Sequence, residues 1–114
     1  MTSLSPTLTQ EVSQMEAELC SAFSDPTRIL ILYELDEQPR TVTELTNDLN
    51  ASQPTISRHL KVLRDRGLVT ADRQGTNMYY RLTDRRLIDA LDILRSVLRD
   101  RIVRRASLMT EVAG

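Results

Sequence analysis

The stretch between residues 43 and 82 constrains the fold most, because two helix-forming segments are followed there by two β-rich segments. The first helix is expected over Thr43–Leu49, where leucines recur at a spacing of four. Asn50-Ala51 is the predicted turn. Ser52 is a favoured N-cap for the second helix, and Gly67 is its expected C-terminal stop. This order predicts a helix-turn-helix over residues 43–66.

The two β-rich segments, Leu68–Arg73 and Asn77–Leu82, predict a hairpin that forms a wing over residues 68–82. Gly75 lies between them and can adopt the positive φ of a tight turn. Arg73 near the tip and Arg81 farther along the second strand are suited to contact phosphates or the minor groove.

The second helix of the motif has one apolar and one polar side. At 100° per residue, Ile56, Leu60 and Leu63 share a side, and Arg58 points away from it. Arginine pairs with guanine and glutamine with adenine in the DNA major groove, and hydroxyls reach bases or phosphates. A merely solvated polar face is the alternative interpretation. The candidate DNA-contacting residues are Gln53, Thr55, Ser57, Arg58, Lys61, Arg73, Thr76 and Arg81.

Charge is distributed unevenly along the chain, although the net charge is only −1 and the pI near 5.8. Residues 1–57 carry two cations and nine carboxylates, a net charge of −7. Residues 58–114 carry thirteen cations and seven carboxylates, a net charge of +6. An acidic chain is unusual for a nucleic-acid-binding domain. The basic half begins inside the second helix of the motif, so the local charge still favours DNA.

The 114 residues suit one domain, mainly α-helical with a small β-hairpin, whose first seven residues are expected to be frayed. A central helix is predicted from Pro26 to about Asp36, capped by Asp25. An amphipathic helix before it carries Leu8, Val12, Met15, Leu19 and Ala22. A final helix, residues 84–108, carries Leu87, Leu91, Leu94, Leu98 and Ile102. We expect these two terminal helices to pair with each other and with their copies in a homodimer.

Two shorter features complete the secondary-structure prediction. The β-branched pair Thr41-Val42 predicts a single short strand before the motif. Tyr79 and Tyr80 are neighbours in the second wing strand, so one should point inward and the other outward.

Cys20 is the only cysteine, which excludes an intrachain disulfide and fits a reducing compartment. A buried, inert thiol is favoured for Cys20, and a redox-sensing thiol is the alternative. His59 is expected to pack or to contact phosphate rather than bind a metal. The sequence has no export signal and no apolar run long enough to span a bilayer, so we expect a cytoplasmic protein without membrane contact. No catalytic constellation is recognisable, so neither enzymatic activity nor a cofactor is expected.

Three motifs in order resemble the ArsR/SmtB family of winged-helix repressors: SDPTR at residues 24–28, SQPTISRHLKVLRDRGLV at residues 52–69 and RQGTNMYYRL at residues 73–82. The resemblance implies a homodimer that binds a palindromic operator and is released by an effector. It also implies operator contacts by Gln53, Ser57 and Arg58, which match contact positions of the family.

The metal-sensing sites of this family match the chain poorly. Positions that hold thiols in arsenic-sensing relatives are occupied by Thr41, Thr43 and Thr46, and a hydroxyl cannot replace a thiolate for a soft metal. Positions that bind zinc in other relatives are occupied by Asp84, Arg86, Val97 and Asp100, without histidine. We therefore expect no metal site and an unidentified effector. The hypothesis for Arg86 is an ion pair with Asp100 of the partner chain.

The chain is thus interpreted as a homodimeric regulator of transcription that binds double-stranded operator DNA. The alternative is a module that uses the winged fold to bind another protein.

Overall fold

The computed structural model describes residues 4–113, whose elements follow the predicted order of helices and a two-stranded antiparallel hairpin. The helices and strands are α1 (Pro6–Glu18), a 3-10 helix (Cys20–Ser24), α2 (Pro26–Glu37), α3 (Val42–Leu49), α4 (Gln53–Asp65), β1 (Val69–Gln74), β2 (Asn77–Leu82) and α5 (Arg86–Ala113). The predicted fold class, mainly α with a small hairpin, is confirmed.

The chain forms two compact units, Met1–Thr83 and Asp84–Gly114. The first holds the helix-turn-helix and the wing, and the second is α5 with the residues that precede it. That the chain is a single domain stays a prediction. The expected fraying of residues 1–7 is wrong for Pro6 and Thr7, since α1 begins at Pro6; residues 1–3 lie outside the described residues.

Helix α2 lies at the centre of the first unit and packs against the 3-10 helix, α3, α4 and β2. It begins where predicted, because the Asp25 side chain accepts a hydrogen bond from the Thr27 N–H at 2.8 Å. Ile31, Leu32 and Leu35 are buried. Each such side chain stabilises the fold by about 1.5–3 kcal/mol, so this helix anchors the elements around it.

A capping box opens α3, and this corrects the strand predicted at Thr41-Val42. The Thr41 hydroxyl accepts the Glu44 N–H at 3.2 Å, and the Glu44 carboxylate accepts the Thr41 N–H at 2.9 Å. These hydrogen bonds lower the pKa of Glu44. Two amides that a helix start leaves without partners are thereby satisfied, which favours helix over strand. The helix ends at Asn50, whose φ of 51° is left-handed.

Helix α1 is shorter than the predicted stripe, because the backbone changes to a 3-10 helix at Cys20. In the 3-10 helix Ala22 is buried in the core and Cys20 is exposed. The prediction of a buried thiol is therefore wrong. Leu8, Val12 and Met15 line α1 as predicted and are all exposed in the single chain.

The wing strands pair from Val69 opposite Leu82 to Gln74 opposite Asn77. Gly75 has a φ of 65° in the two-residue turn, a conformation that favours glycine. Tyr79 and Tyr80 are both partly buried. That one points inward and the other outward stays a prediction.

Helix α5 extends to Ala113, five residues beyond the predicted end. Ile88 and Leu91 are buried, whereas most apolar side chains farther along are exposed: Ile93, Leu94, Val97, Leu98, Ile102, Val103, Leu108, Met109 and Val112. Within the described residues, no helix is long and apolar enough to cross a membrane.

Candidate nucleic-acid interface

Helix α4 presents two different sides, as its sequence predicts. Ile56, Leu60 and Leu63 are at most 1% exposed and fix the helix to the first unit. The opposite side carries Ser57, Arg58 and Lys61 in exposed positions, and Gln53 is exposed in the first turn of the helix. A rigid helix with a free polar side is the form that enters a major groove.

The N-terminus of α4 is built by Ser52. Its hydroxyl accepts the Thr55 N–H at 3.3 Å and donates to the Thr55 hydroxyl at 2.8 Å. Thr55 is therefore only partly exposed, and its hydroxyl already serves the cap. Its predicted role in DNA contact is weaker for that reason, although the Thr55 hydroxyl proton remains available.

Arg58 and Lys61 differ in how free their charges are. Lys61 Nζ lies 3.0 Å from Asp65 Oδ2, and the two exposed residues are one helical turn apart. Arg58 is exposed, and among the described residues its guanidinium has no hydrogen bond or ion pair. A ligand can thus bind Arg58 without breaking an existing pair.

The sequence prediction did not include Arg64, which is exposed on the same side of α4 as Ser57. The spacing of seven residues, two helical turns, was the signal that places both side chains together. Arg64 adds a cation beside the polar residues of α4.

The wing carries its predicted contact residues in exposed positions. Arg73 and Thr76 lie near the hairpin turn. Arg81 is exposed too, but its Nε donates to Asp72 Oδ2 across the hairpin at 3.0 Å. A phosphate would have to compete with this carboxylate for Arg81, whereas Arg73 has no such partner among the described residues.

A buried histidine joins α4 to the start of α2. His59 is 6% exposed, and its Nδ1 lies 3.2 Å from Arg28 Nη1. Its Nε2 lies 3.8 Å from Asp25 Oδ2. Burial lowers the pKa of His59, although Asp25 opposes the shift. The expected packed histidine is confirmed, next in sequence to Arg58.

Arg28 also fixes the 3-10 helix, which explains the last residue of the SDPTR motif. Its Nε donates to the Ala22 carbonyl at 2.7 Å, and its Nη2 donates to the Ser24 hydroxyl at 3.1 Å. Asp25 at the start of α2 has a lowered pKa, mainly because it accepts the Thr27 N–H. These contacts hold the scaffold from which α4 projects.

The opposite end of α4 is tied to α1. Arg66, the C-cap of α4, donates to the Ala17 carbonyl at 2.5 Å and contacts the Ser21 hydroxyl. Carbonyls at a helix C-terminus lack partners within the helix, and a guanidinium satisfies them well. No local pattern predicts this contact, because Arg66 lies more than 40 residues along the chain from Ala17 and from Ser21.

The positions matching the family's metal sites do not form one in the described residues. No group of three or more histidine, cysteine, aspartate or glutamate side chains there is arranged to hold a metal ion. Thr41 is used as a helix cap. Arg86 pairs with Asp84 of its own chain, Nη2 to Oδ2 at 2.7 Å, which lowers the pKa of Asp84 to about 2. The structure thus gives Arg86 a different carboxylate from the one expected in a partner chain.

Known proteins resemble the chain over this region. The family described as "Bacterial regulatory protein, arsR family" matches residues 25–71. The HTH-type transcriptional repressor SmtB of Mycobacterium tuberculosis is 41% identical over 78 residues, 68% of this chain. The chain spans only 58% of the length of that relative. An uncharacterized HTH-type transcriptional regulator of Methanocaldococcus jannaschii, MJ1325, is 41% identical over 88 residues, 71% of this chain and 99% of the relative.

A solved structure extends the similarity to the fold. The homodimeric winged helix-turn-helix DNA-binding domain Mb0332 of Mycobacterium bovis aligns with a TM-score of 0.72 at 25% identity. The alignment covers 90% of this chain and 94% of that domain. Sequence similarity over nearly all of MJ1325, together with the winged fold, identifies the chain as a member of the arsR family of bacterial regulatory proteins.

Proposed function

We propose that the chain is a homodimeric transcriptional repressor that binds operator DNA in the cytoplasm by inserting α4 into the major groove. The observation that carries the proposal is the contrast between the two sides of α4. Ile56, Leu60 and Leu63 are buried, while the opposite side is exposed and polar and includes Arg58, whose guanidinium has no hydrogen bond or ion pair with the residues that the structure describes. Its relatives of similar sequence are regulators of transcription.

In this proposal, base contacts and phosphate contacts come from different residues. Gln53, Ser57 and Arg58 face base edges, where arginine and glutamine recognise guanine and adenine. The remaining predicted contact residues, together with Arg64, position the protein on the backbone. These backbone residues are Thr55, Lys61, Arg64, Arg73, Thr76 and Arg81.

A homodimer accounts for the apolar surface that the single chain leaves exposed. Leu8, Val12 and Met15 form a stripe along α1, and Leu94 and Leu98 belong to a second stripe along α5. Contiguous apolar surface of this kind marks an interface. A twofold dimer also provides two copies of α4, which suits a palindromic operator with half-sites about 34 Å apart.

The effector is not identified by the residues present, but the exposure of Cys20 meets one requirement for oxidation. We propose peroxide as the first signal to test. Oxidation should weaken operator binding by the native protein and leave a Cys20→Ser variant unaffected. Equal binding by the oxidised and reduced native protein would eliminate Cys20 as the sensor.

Fluorescence anisotropy with the DNA upstream of the gene for this chain tests the function directly. We expect tighter binding to this duplex than to a scrambled duplex of equal length and composition. Binding should weaken steeply as salt rises, because phosphate neutralisation releases counterions. Equal affinity for both duplexes, or no binding to either, would favour the alternative of a module that binds another protein.

A further inference from the structure

Arg40 joins the wing to the segment between α2 and α3 through its backbone. Its N–H donates to the Tyr80 carbonyl at 3.0 Å, and its carbonyl accepts the Tyr80 N–H at 2.8 Å. This isolated bridge attaches β2 to the residue that precedes the cap of α3. The wing is thus held at Tyr80 as well as by its connection to α4.

The side chain of the same residue holds two helices. The Arg40 Nη2 lies 2.8 Å from Glu37 Oε2 and 3.7 Å from Glu34 Oε2, both on α2. Its Nη1 lies 3.4 Å from Asp48 Oδ2 on α3. We call Glu34, Glu37, Arg40 and Asp48 the Arg40 cluster. One residue therefore connects α2, α3 and β2.

Two features indicate that the Arg40 cluster fixes the positions of α2, α3 and β2 more than it adds to the stability of the fold. The Arg40 side chain is only 15% exposed, and among the described residues its buried Nε has no hydrogen-bond partner. A buried donor without a partner is unfavourable, and an apolar side chain of similar size would avoid that penalty. The guanidinium does, however, specify a unique arrangement of the three carboxylates around it.

The guanidinium is the positive charge with which the three carboxylates of the Arg40 cluster pair. Burial raises the pKa of Glu34, and its hydrogen bond with Asp48 and the charge of Asp48 raise this pKa further, while Arg40 lowers it. Loss of the guanidinium would remove the ion pairs that join Glu37 on α2 to Asp48 on α3, so these helices would be free to shift. The Tyr80 bridge would move with them.

Such a movement is amplified along the wing. Thr76 in the turn lies four residues before Tyr80, a distance of about 13 Å at the rise of a strand. A rotation of the hairpin by about 10° at Tyr80 therefore displaces the tip by about 2 Å. A charged hydrogen bond does not survive a displacement of that size. Arg73 near the tip would lose a phosphate while α4 remained in place.

We propose that Arg40 is a positioning residue for DNA binding, which holds the wing at the angle that lets Arg73 and Arg58 engage one duplex together. The inference rests on the proposed function. It assigns to the Arg40 cluster a role in DNA recognition although none of its members contacts DNA.

A double-mutant cycle on the upstream duplex tests this role. Arg40→Gln should weaken binding by at least about tenfold, because the dimer loses a wing contact in both half-sites. Hydroxyl-radical footprints should lose protection at the outer flanks, where the wing lies, and keep it over the α4 contacts. Arg73→Ala should weaken binding in the native background but add little to Arg40→Gln, because the wing contact is already lost. Arg85→Gln, which removes an exposed arginine paired with Asp89, is the matched control and should bind as the native protein does.

The outcomes separate this inference from the proposed function. Additive effects of Arg40→Gln and Arg73→Ala, or an unchanged footprint, would overturn the positioning role even if the native protein binds DNA. Failure of the native protein to bind would reject both. If Arg40→Gln does not fold, Glu37→Gln replaces it, because it removes the shortest ion pair of Arg40 and should shift the flank protection in the same way. Glu37→Gln with intact flank protection and native affinity would also overturn the proposal.

Discussion

Replacing Arg58 with alanine should strongly weaken binding to operator DNA and leave the fold intact. Arg58 is exposed on α4, and its guanidinium has no partner among the described residues. The substitution therefore breaks no internal ion pair and creates no cavity. Stability should change by less than about 0.5 kcal/mol, as is usual at such surface positions.

The expected loss of affinity follows from the contact and from the symmetry of the dimer. An arginine contact with guanine is worth about 1–3 kcal/mol of discrimination. Two copies bind one operator, so the dimer should lose about 2–6 kcal/mol, or roughly 30-fold to 20,000-fold in affinity. Lys61→Ala should cost less, because in the free protein Lys61 already pairs with Asp65 at 3.0 Å.

Anisotropy titrations of both variants at one salt concentration, with urea unfolding as the check on stability, measure these effects. We expect Arg58→Ala to be the weaker binder and to lose discrimination between the operator and a scrambled duplex. Lys61→Ala should weaken binding to both duplexes alike. Native affinity in the folded Arg58→Ala protein would refute the assignment of α4 as the base-reading helix.

Three further predictions concern protonation and backbone conformation. Burial lowers the pKa of His59 below its ordinary 6.5, so the unfolded chain takes up the proton first as pH falls. The free energy of unfolding should therefore be constant above about pH 6.5 and decline below it. Urea unfolding across that pH range tests this, and the free energy should vary less in His59→Gln. Arg86→Ala should return the pKa of Asp84 from about 2 toward 3.8 in an NMR titration, and a pKa that stays low would contradict the ion pair. The stabilisation that the ion pair provides is present above pH 3.8 and is lost as pH falls toward 2. Asn50 has a φ of 51°, so Asn50→Ala should lower the free energy of unfolding by about 1 kcal/mol while Asn50→Gly does not, and equal losses would argue against strain at this turn.

Local patterns predicted much of the fold and of the candidate interface. Ser52 and the apolar period of α4 define that helix within thirteen residues, so its polar side could be assigned without tertiary information. Gly75 marked the wing turn for a similarly local reason. The start of α3 has a local signal too, the capping-box spacing of Thr41 and Glu44, but the β-branched pair Thr41-Val42 at the same place favours a strand.

Contacts between distant segments were not predictable in this way. The Arg40 cluster joins two helices, and the Tyr80 bridge lies 40 residues farther along the chain. Cys20 became exposed because the helix type changes beside it, and no periodicity within one helix signals such a change. The exposed stripes of α1 and α5 were predicted as stripes, but a single chain does not specify what covers them.

The central claim is that two copies of α4 read adjacent major grooves of one duplex. Sedimentation of the complex with its upstream DNA, combined with hydroxyl-radical footprinting, tests this claim most directly. We predict two chains per duplex and two protected half-sites about 10 base pairs apart, each weakened by Arg58→Ala. One chain per duplex with a single protected patch, or a footprint indifferent to Arg58, would contradict it.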